Sequence, residues 1–510
     1  MINKLNESSF SKVNNSMNNI DIIVMIIMAI AVTWLGHILS GSIKNRASFF
    51  QADGSLPWWA VSSSIIATVV SSVTFVSVPA AIFSDGGNLM YFQVIVGLML
   101  GKVLVAKMFV KPFYNSVGID TTYDYIRKRI DFRVGDFAMY LGLSLTLVNT
   151  SVKLLTTGLV LSVISDWDLV YCCLAVIAFS ILWSWLAGIK TVIWTDFLLF
   201  IVFLIGAIFA IIWTVLLIDM SLYDAFLILD KEAKLVLFDF STDPKTTYTI
   251  WAGIFGSLAT NIALASSQGT YQRVKACRSE KEAHKAYVFS AAFYFVHILI
   301  MGVGLAMTVF YSVTPLPVDV SNMLVEQPDR IFPYFIINEI PVGITGVFIA
   351  AIFAAGISSL DSALAEAADI TISNIYERKI NPGMSDAHYL LASRIALCIW
   401  GGLFFFLAIY FSRFTSEGLL NLTFKLPNYL FGAMFGTIVL ARYKIGTFSS
   451  YLIGLVTSFI IVWFLQDAGV SFFWWSPVSG VSFVAITWLI SRSKPELSGV
   501  ITKDDKELLL

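Results

Sequence analysis

Between Phe348 and Ile370 the chain reads FIAAIFAAGISSLDSALAEAADI, an apolar run that turns polar and acidic without a break. At about 100° per residue on a helix, Ala355, Ser358, Ser359, Ser362, Glu366 and Asp369 share one face, and Asp361 lies at its edge. Small hydroxyls leading into carboxylates inside a lipid-compatible span can bind a hard cation and lead it to water. The same stripe also suits a helix–helix seam, because Ser and Ala let membrane helices approach closely. A second carboxylate, Asp196, lies in KTVIWTDFLLF, at a depth where an acid is costly and is as a rule paired or ion-binding. Lys190 rather than Asp196 marks the start of that helix, so a capping role does not fit. A sodium ion asks for about five hard oxygens from carbonyls, hydroxyls and carboxylate. This set is on offer, with no softer alternative. The four cysteines (Cys172, Cys173, Cys277, Cys398) and four histidines (His37, His284, His297, His388) have no metal-ligand spacing, and the thiols read as packed and reduced.

Two lysines stand apart from the loop charges. Lys425 lies in NLTFKLPNYL and Lys153 in TLVNTSVKLLTTG. At about 1.5 Å per residue Lys153 is roughly 20 Å from the outer end of its span, a depth from which snorkelling is hard. Its ammonium can face a polar cavity and an anionic solute, or pair with a buried carboxylate such as Asp361. No His-Glu-x-x-His, Gly-x-Ser-x-Gly or phosphate-cradling loop occurs, so no enzymatic activity is expected.

The elements that position these residues follow from composition. Hydrophobic residues make up 57% and charged residues 13% of the 510, which marks an all-α polytopic membrane protein. A net charge of −1 speaks against a nucleic-acid partner. Spans of roughly 20 apolar residues can be placed about thirteen times, at 20–42, 57–82, 88–112, 134–165, 169–188, 192–219, 250–272, 284–312, 341–374, 388–412, 418–441, 447–466 and 472–491. Alternate loops are basic: Lys44 and Arg46; Arg127 to Arg133; Lys190; Arg273, Lys275, Arg278 and Lys281; Arg378 and Lys379; Arg442 and Lys444; Arg492 and Lys494. The intervening loops carry Asp85, Asp166, Asp168 and Asp467 and the acidic-leaning 220–249 and 313–340. The positive-inside rule then places the N-terminus outside and the C-terminus in the cytoplasm of a plasma (inner) membrane. The two long outside loops should carry short amphipathic helices (YDAFLILDKEA and PDRIFPYFIINEI) that gate an entrance or simply cover helix ends. The first twenty residues read as a flexible tail rather than a signal peptide, and no soluble domain is expected.

Two spans are interrupted. The second holds a Ser/Thr run before Pro79, and the seventh has Gly253, Gly256, Asn261 and Ser266–Ser267 in the same relative place. They are five spans apart and opposite in orientation. Interrupted helices at matching positions of inverted halves point to a transporter binding site, although structurally kinked helices would look alike.

The segments FFQADGSLPWWAVSSSIIATVVSSVTFVSVPAAIF, TTYDYIRKRID, GIKTVIWTD, QGTYQRVKACRSEKEA and IAAIFAAGISSLDSA together resemble the sodium/solute symporter family, in order and over nearly the whole chain. Through SSVTFVSVPA the chain is most similar to the bacterial sialic-acid transporter branch. The resemblance implies a five-plus-five inverted-repeat core with broken helices at the binding site. Its parts would be a tail 1–19, a peripheral helix 20–42, repeats 57–219 and 250–441, two peripheral helices 447–491 and a cytoplasmic tail 492–510. It implies one or two Na⁺ ions. The principal site would fall on the carbonyls of Ala67 and Val70 with Ala355, Ser358 and Ser359; the second would use Asp196, Ser358 and Ser362, with Asp361 where that branch has a serine. Substrate contacts fall at Ser71, Thr74 and Gln93, to which the residue reading adds Lys153, Asn261 and Lys425. The chain departs from the branch where an arginine that grips the substrate carboxylate is replaced by Ser151. A hydroxyl contact is likewise replaced by Val69, and a Gly-Gly-Pro reads Lys425-Leu426-Pro427. The expected activity is Na⁺-coupled symport of a small polar solute by a monomer in the lipid bilayer. The solute is an acidic sugar such as sialic acid or another organic anion; the rivals are a neutral sugar or polyol and, from another class, an uncoupled channel or receptor.

Overall fold

The computed structural model describes residues 18–40, 54–165, 167–186, 189–218, 220–413 and 419–493. The tail before residue 18, the end of the first span with Lys44 and Arg46, Asp166, and the tail after residue 493 with Lys494 lie outside the described residues. Among them the regular structure is all helix, with one isolated parallel bridge between Leu56 and Cys277.

Helix α1 (Asn19–Ser40) precedes the first broken pair, α2 (Trp58–Val69) and α3 (Ser72–Phe83). Helix α4 (Tyr91–Val105) continues through a π-helical turn to Tyr114 and is followed by the short α5 (Thr122–Arg129). Then come α6 (Phe132–Ser165), α7 (Leu169–Leu186), α8 (Ile189–Leu217) and a loop helix, α9 (Leu222–Lys231). The second half opens with another broken pair, α10 (Ile250–Leu264) and α11 (Gln268–Ala276), followed by α12 (Glu280–Ala292) and α13 (Phe295–Val313). Loop helices α14 (Val318–Glu326) and α15 (Ile331–Glu339) lead to α16 (Ile344–Thr371), and α17 (Asp386–Phe411), α18 (Leu419–Tyr443), α19 (Phe448–Asp467) and α20 (Phe472–Ser493) complete the chain. Among the described residues nine helices are long and apolar enough to cross a membrane, eleven when each bent pair is one span. The shorter apolar helices at Asn19–Val32 and Leu169–Trp185 fall on the remaining two stretches read from the sequence. The two loop segments expected to be helical are α9 and α15.

The broken pairs bend by 56° between α2 and α3 and by 71° between α10 and α11. Neither break is made by proline; Pro79 lies further on, inside α3. A helix end leaves its last carbonyls without intrahelical partners, and at the end of α2 these face protein groups rather than lipid, as irregular backbone at membrane depth must. The far end of α3 is closed off by a loop lysine: Lys234 Nζ donates to the carbonyls of Ile82 (2.9 Å), Phe83 (3.1 Å) and Ser84 (2.7 Å).

Helices α4 and α10 run together along a seam of glycines. A Cβ on Gly97 would lie 2.7 Å from the Gly253 carbonyl oxygen, and one on Gly101 would lie 2.7 Å from Asn261 Cβ. Such close approach is the usual work of small residues between membrane helices. On the side of the break towards α15, Phe75 packs against Phe203 and Phe332 with ring centroids 5.4 and 5.5 Å apart, and all three rings are buried.

Candidate cation and solute site

Three helices converge on Asp196, which is fully buried on α8. Ser64 of α2 donates to its Oδ2 at 2.5 Å, and Ser358 of α16 donates to its Oδ1. Arg273 of α11 places Nη2 3.7 Å from Oδ2. The carboxylate is thus the common anchor of both broken spans and of the hydroxyl-bearing helix.

Ser359 is one residue further along α16. Its Oγ is buried and has no hydrogen-bond partner, although most buried hydroxyls in proteins have one. It shares a cavity of about 120 Å³ with Thr68, Val69, Ser362, Lys153 and Arg273. Hard oxygens of this kind at a helix break suit a monovalent or divalent hard cation. Among the described residues no group of three or more His, Cys, Asp or Glu gathers as a transition-metal site would require. Ala67 and Val70 flank the break on its α2 side, and Ala355 lies one turn before Ser359; all three are buried.

Lys153 reaches this cavity from α6, and its Nζ donates to the Thr68 carbonyl at 3.0 Å. Of the two openings the sequence left it, the polar cavity is the one taken. Asp361 faces away, towards α7, where Ser184 Oγ donates to its Oδ1 at 2.5 Å. Lys102 of α4 and Glu366 of α16 complete the charged lining, so three cations face one carboxylate. Ser151 is buried and donates to its own helix, at Leu147 O (2.7 Å).

The remaining candidates divide. Ser71 is the N-cap of α3 and Thr74 lies one turn in, both buried at the break. Gln93 is engaged elsewhere: its amide donates to the carbonyls of Met90 (3.2 Å) and Tyr248 (3.1 Å) and accepts from the Asp239 N–H (3.0 Å). Asn261 donates to Leu98 O (3.4 Å) and Ser257 O (3.1 Å), within the α4–α10 seam. Lys425 is half-buried on α18 and does not line the cavity.

The reading of Glu366 and Asp369 as an exit lined with charge gains detail and that of Arg273 changes. Glu366 lines the cavity, and both carboxylates also hold the second broken helix. Glu366 accepts the Gln268 backbone N–H at 2.8 Å, a carboxylate at the N-terminus of α11 as the helix dipole favours. Asp369 accepts from the side chains of Gln268 (2.8 Å), Gln272 (3.0 Å) and Ser373 (2.8 Å). Arg273 belonged on the sequence to a basic loop, yet it is only 5% exposed and reaches the centre of the site. The signal for it was the break itself: Ser266–Ser267 resets the helical phase, so the residues after it cannot be placed by continuing α10.

A family model described as the sodium:solute symporter family matches residues 49–454. The sodium/sialic acid symporter NanT of Aliivibrio fischeri is 25% identical over 90% of this chain and 90% of its own. The sodium/sialic acid symporter SiaT of Proteus mirabilis is 26% identical over 89% of this chain and 91% of its own. Among solved structures, the substrate-bound outward-open state of a Na⁺-coupled sialic acid symporter superposes with a TM-score of 0.82 at 24% identity, covering 93% of this chain and 98% of that one. Likeness at that identity speaks for the fold.

Proposed function

Because this chain belongs to the sodium:solute symporter family and couples its solute to Na⁺, we propose that the solute is a small organic anion held at the first helix break. One observation carries this reading: the Lys153 ammonium stands at the break, on the wall of a cavity that also holds Lys102 and Arg273 against the single carboxylate of Glu366. A buried ammonium on a shared cavity wall favours a negative partner, since the field of charges is strongest where water is scarce. The sialic acid handled by the relatives is one such anion, and a monocarboxylate is another.

In this reading Na⁺ is held by the carbonyls of Ala67, Val70 and Ala355 and the hydroxyls of Ser358 and Ser359, the last of which brings lone pairs that no protein donor uses. A second ion draws on Asp196, Ser358 and Ser362, with the Asp361 carboxyl standing behind them on its hydrogen bond from Ser184. The solute meets Ser71, Thr74 and Lys153. Gln93 and Asn261 act at a distance, holding the loop and the α4–α10 seam in place. The repeats run over 57–219 and 250–441. The basic loops put α5 and the cavity mouth on the cytoplasmic side of a plasma membrane, with the N-terminus outside and the C-terminus inside, and a single chain contains the whole site.

The test is uptake into proteoliposomes from a panel of acidic sugars, monocarboxylates and neutral sugars, with an inward Na⁺ gradient and with none. Accumulation of an acidic member above its outside concentration, only with the gradient, supports the reading. Accumulation of neutral sugars alone refutes the anion assignment, and flux indifferent to the gradient refutes coupling.

A further inference from the structure

Arg273 reaches the residues of the candidate second ion site while standing back from its acid. Its Nε donates to Ser64 Oγ (3.2 Å), and Nη1 donates to Gly269 O (3.2 Å) on its own helix. Nη2 donates to Thr68 Oγ1 and to Ser362 Oγ (3.3 Å). The guanidinium so ties α11 to α2 and α16 at once. The nearest carboxylate oxygen, on Asp196, is 3.7 Å away. Arg127 shows what a committed ion pair looks like in the same protein: Nη1 on Asp124 at 2.7 Å and Nη2 on Asp136 at 2.6 Å. Arg273 stays back from its acid, whose two oxygens are instead met by the hydroxyls of Ser64 and Ser358. Each carboxylate oxygen can accept more than one such contact, so the acid keeps room for a second cation.

We propose that Arg273 is a tethered counter-cation that competes with Na⁺ at the second site, so that an ion binding Asp196 and Ser362 displaces the guanidinium. This rests on the reading of Asp196, Ser358 and Ser362 as that site. Two positive charges about 4–5 Å apart on one buried carboxylate repel by an amount that corresponds to at least a tenfold loss of affinity, even at the high effective dielectric found in proteins. They therefore alternate. Arg273 leaves with α11, the second half of the other broken span, so arrival of the ion loosens α11 from α2 and α16. Its departure brings them back together. The residue is thus a positioning residue, converting occupancy at one break into movement at the other.

The purified protein in detergent, without organic solute and with choline replacing Na⁺ at constant ionic strength, is titrated with Na⁺ and read by equilibrium ²²Na⁺ binding and by thermal protection. Arg273→Gln should lower the half-saturating Na⁺ concentration about tenfold or more. Thr68→Val removes an anchor of the guanidinium that is not an ion ligand, and should lower it about threefold or more, since a hydrogen bond from a charged donor is lost. Loss of a mere brace would leave half-saturation unchanged or raise it, and that result in the folded variants overturns the proposal. If Arg273→Gln does not fold, Thr68→Val decides alone. Asp196→Asn separates the two claims. Unaltered Na⁺ binding in that variant refutes the second site itself. Loss of the ion there, with no tightening in Thr68→Val, refutes only the competition.

Discussion

Ser359→Ala separates a cation ligand from a packing residue, because Ala packs as closely as Ser while only a ligand makes ion binding depend on the hydroxyl. The Ser359 hydroxyl is buried without a partner, and its residue is 2% exposed. A buried polar group left unsatisfied costs folding about 1–3 kcal/mol, so its removal should hold or raise the apparent melting temperature measured without Na⁺. As a ligand, the same oxygen meets a full positive charge, a contact worth about 1.5–3 kcal/mol by comparison with charged hydrogen bonds. At about 1.4 kcal/mol per tenfold, half-saturating Na⁺ for solute uptake should rise about 10- to 100-fold. Uptake is followed in proteoliposomes over a Na⁺ series at fixed solute, with melting followed on the same preparation. A half-saturation within twofold of the parent, together with intact uptake, would sink the principal-site assignment. A stable variant whose Na⁺ dependence is unchanged would instead make the hydroxyl stripe the helix seam that the sequence also allowed.

Other substitutions test neighbouring parts. Lys153→Met should raise the KM for an anionic solute about thirtyfold or more, as loss of one partner of a buried charge pair does; the comparison is with any neutral solute that is carried, whose KM should move little. Gly356→Ala would set a Cβ 2.2 Å from Thr157 Oγ1, and Thr157 is held by Ser72 at 2.7 Å and Lys153 O at 2.8 Å. The expected cost is about 1–3 kcal/mol, while Gly402→Ala, with nothing within 4 Å of the new atom, should be neutral or stabilising by up to about 1 kcal/mol; denaturation of both in one detergent checks this. Asp361→Ser removes a buried acid that α7 holds through Ser184 and should raise half-saturating Na⁺ without changing solute preference; an unchanged Na⁺ titration counts against any part for Asp361 in the site.

The helices and their breaks were legible because membrane spans write themselves in long apolar runs, and interruptions in those runs are equally plain. Asp196 and the Ser358–Ser362 stripe were legible for a related reason: polar groups at such depth are too costly to be incidental. What could not be read was direction across a break. Arg273 depends on a 71° bend that no periodicity encodes, so it looked like a loop charge, and Glu366 gave no sign of the helix end that it also holds. Gln93 and Asn261 carried no sign of their distant partners, the backbone of Asp239 and Tyr248 for one and the Leu98 carbonyl for the other. Lys153 was ambiguous between a carboxylate and a cavity, and only the turning of Asp361 towards Ser184 on α7 separates the two.

The seam between α4 and α10 has a mechanical consequence. Cavities and flexible side chains absorb small displacements, but glycine backbones in direct contact have nothing to give. At Gly97, Gly101 and Gly253 the neighbouring atoms already fill the space a single methyl would need. Helix α10, the first half of the second broken pair, therefore packs without slack on α4, the helix that follows the first broken pair. A tilt of either should be felt by the other, so that a change at one broken pair is expected to load the opposite half of the protein through this seam.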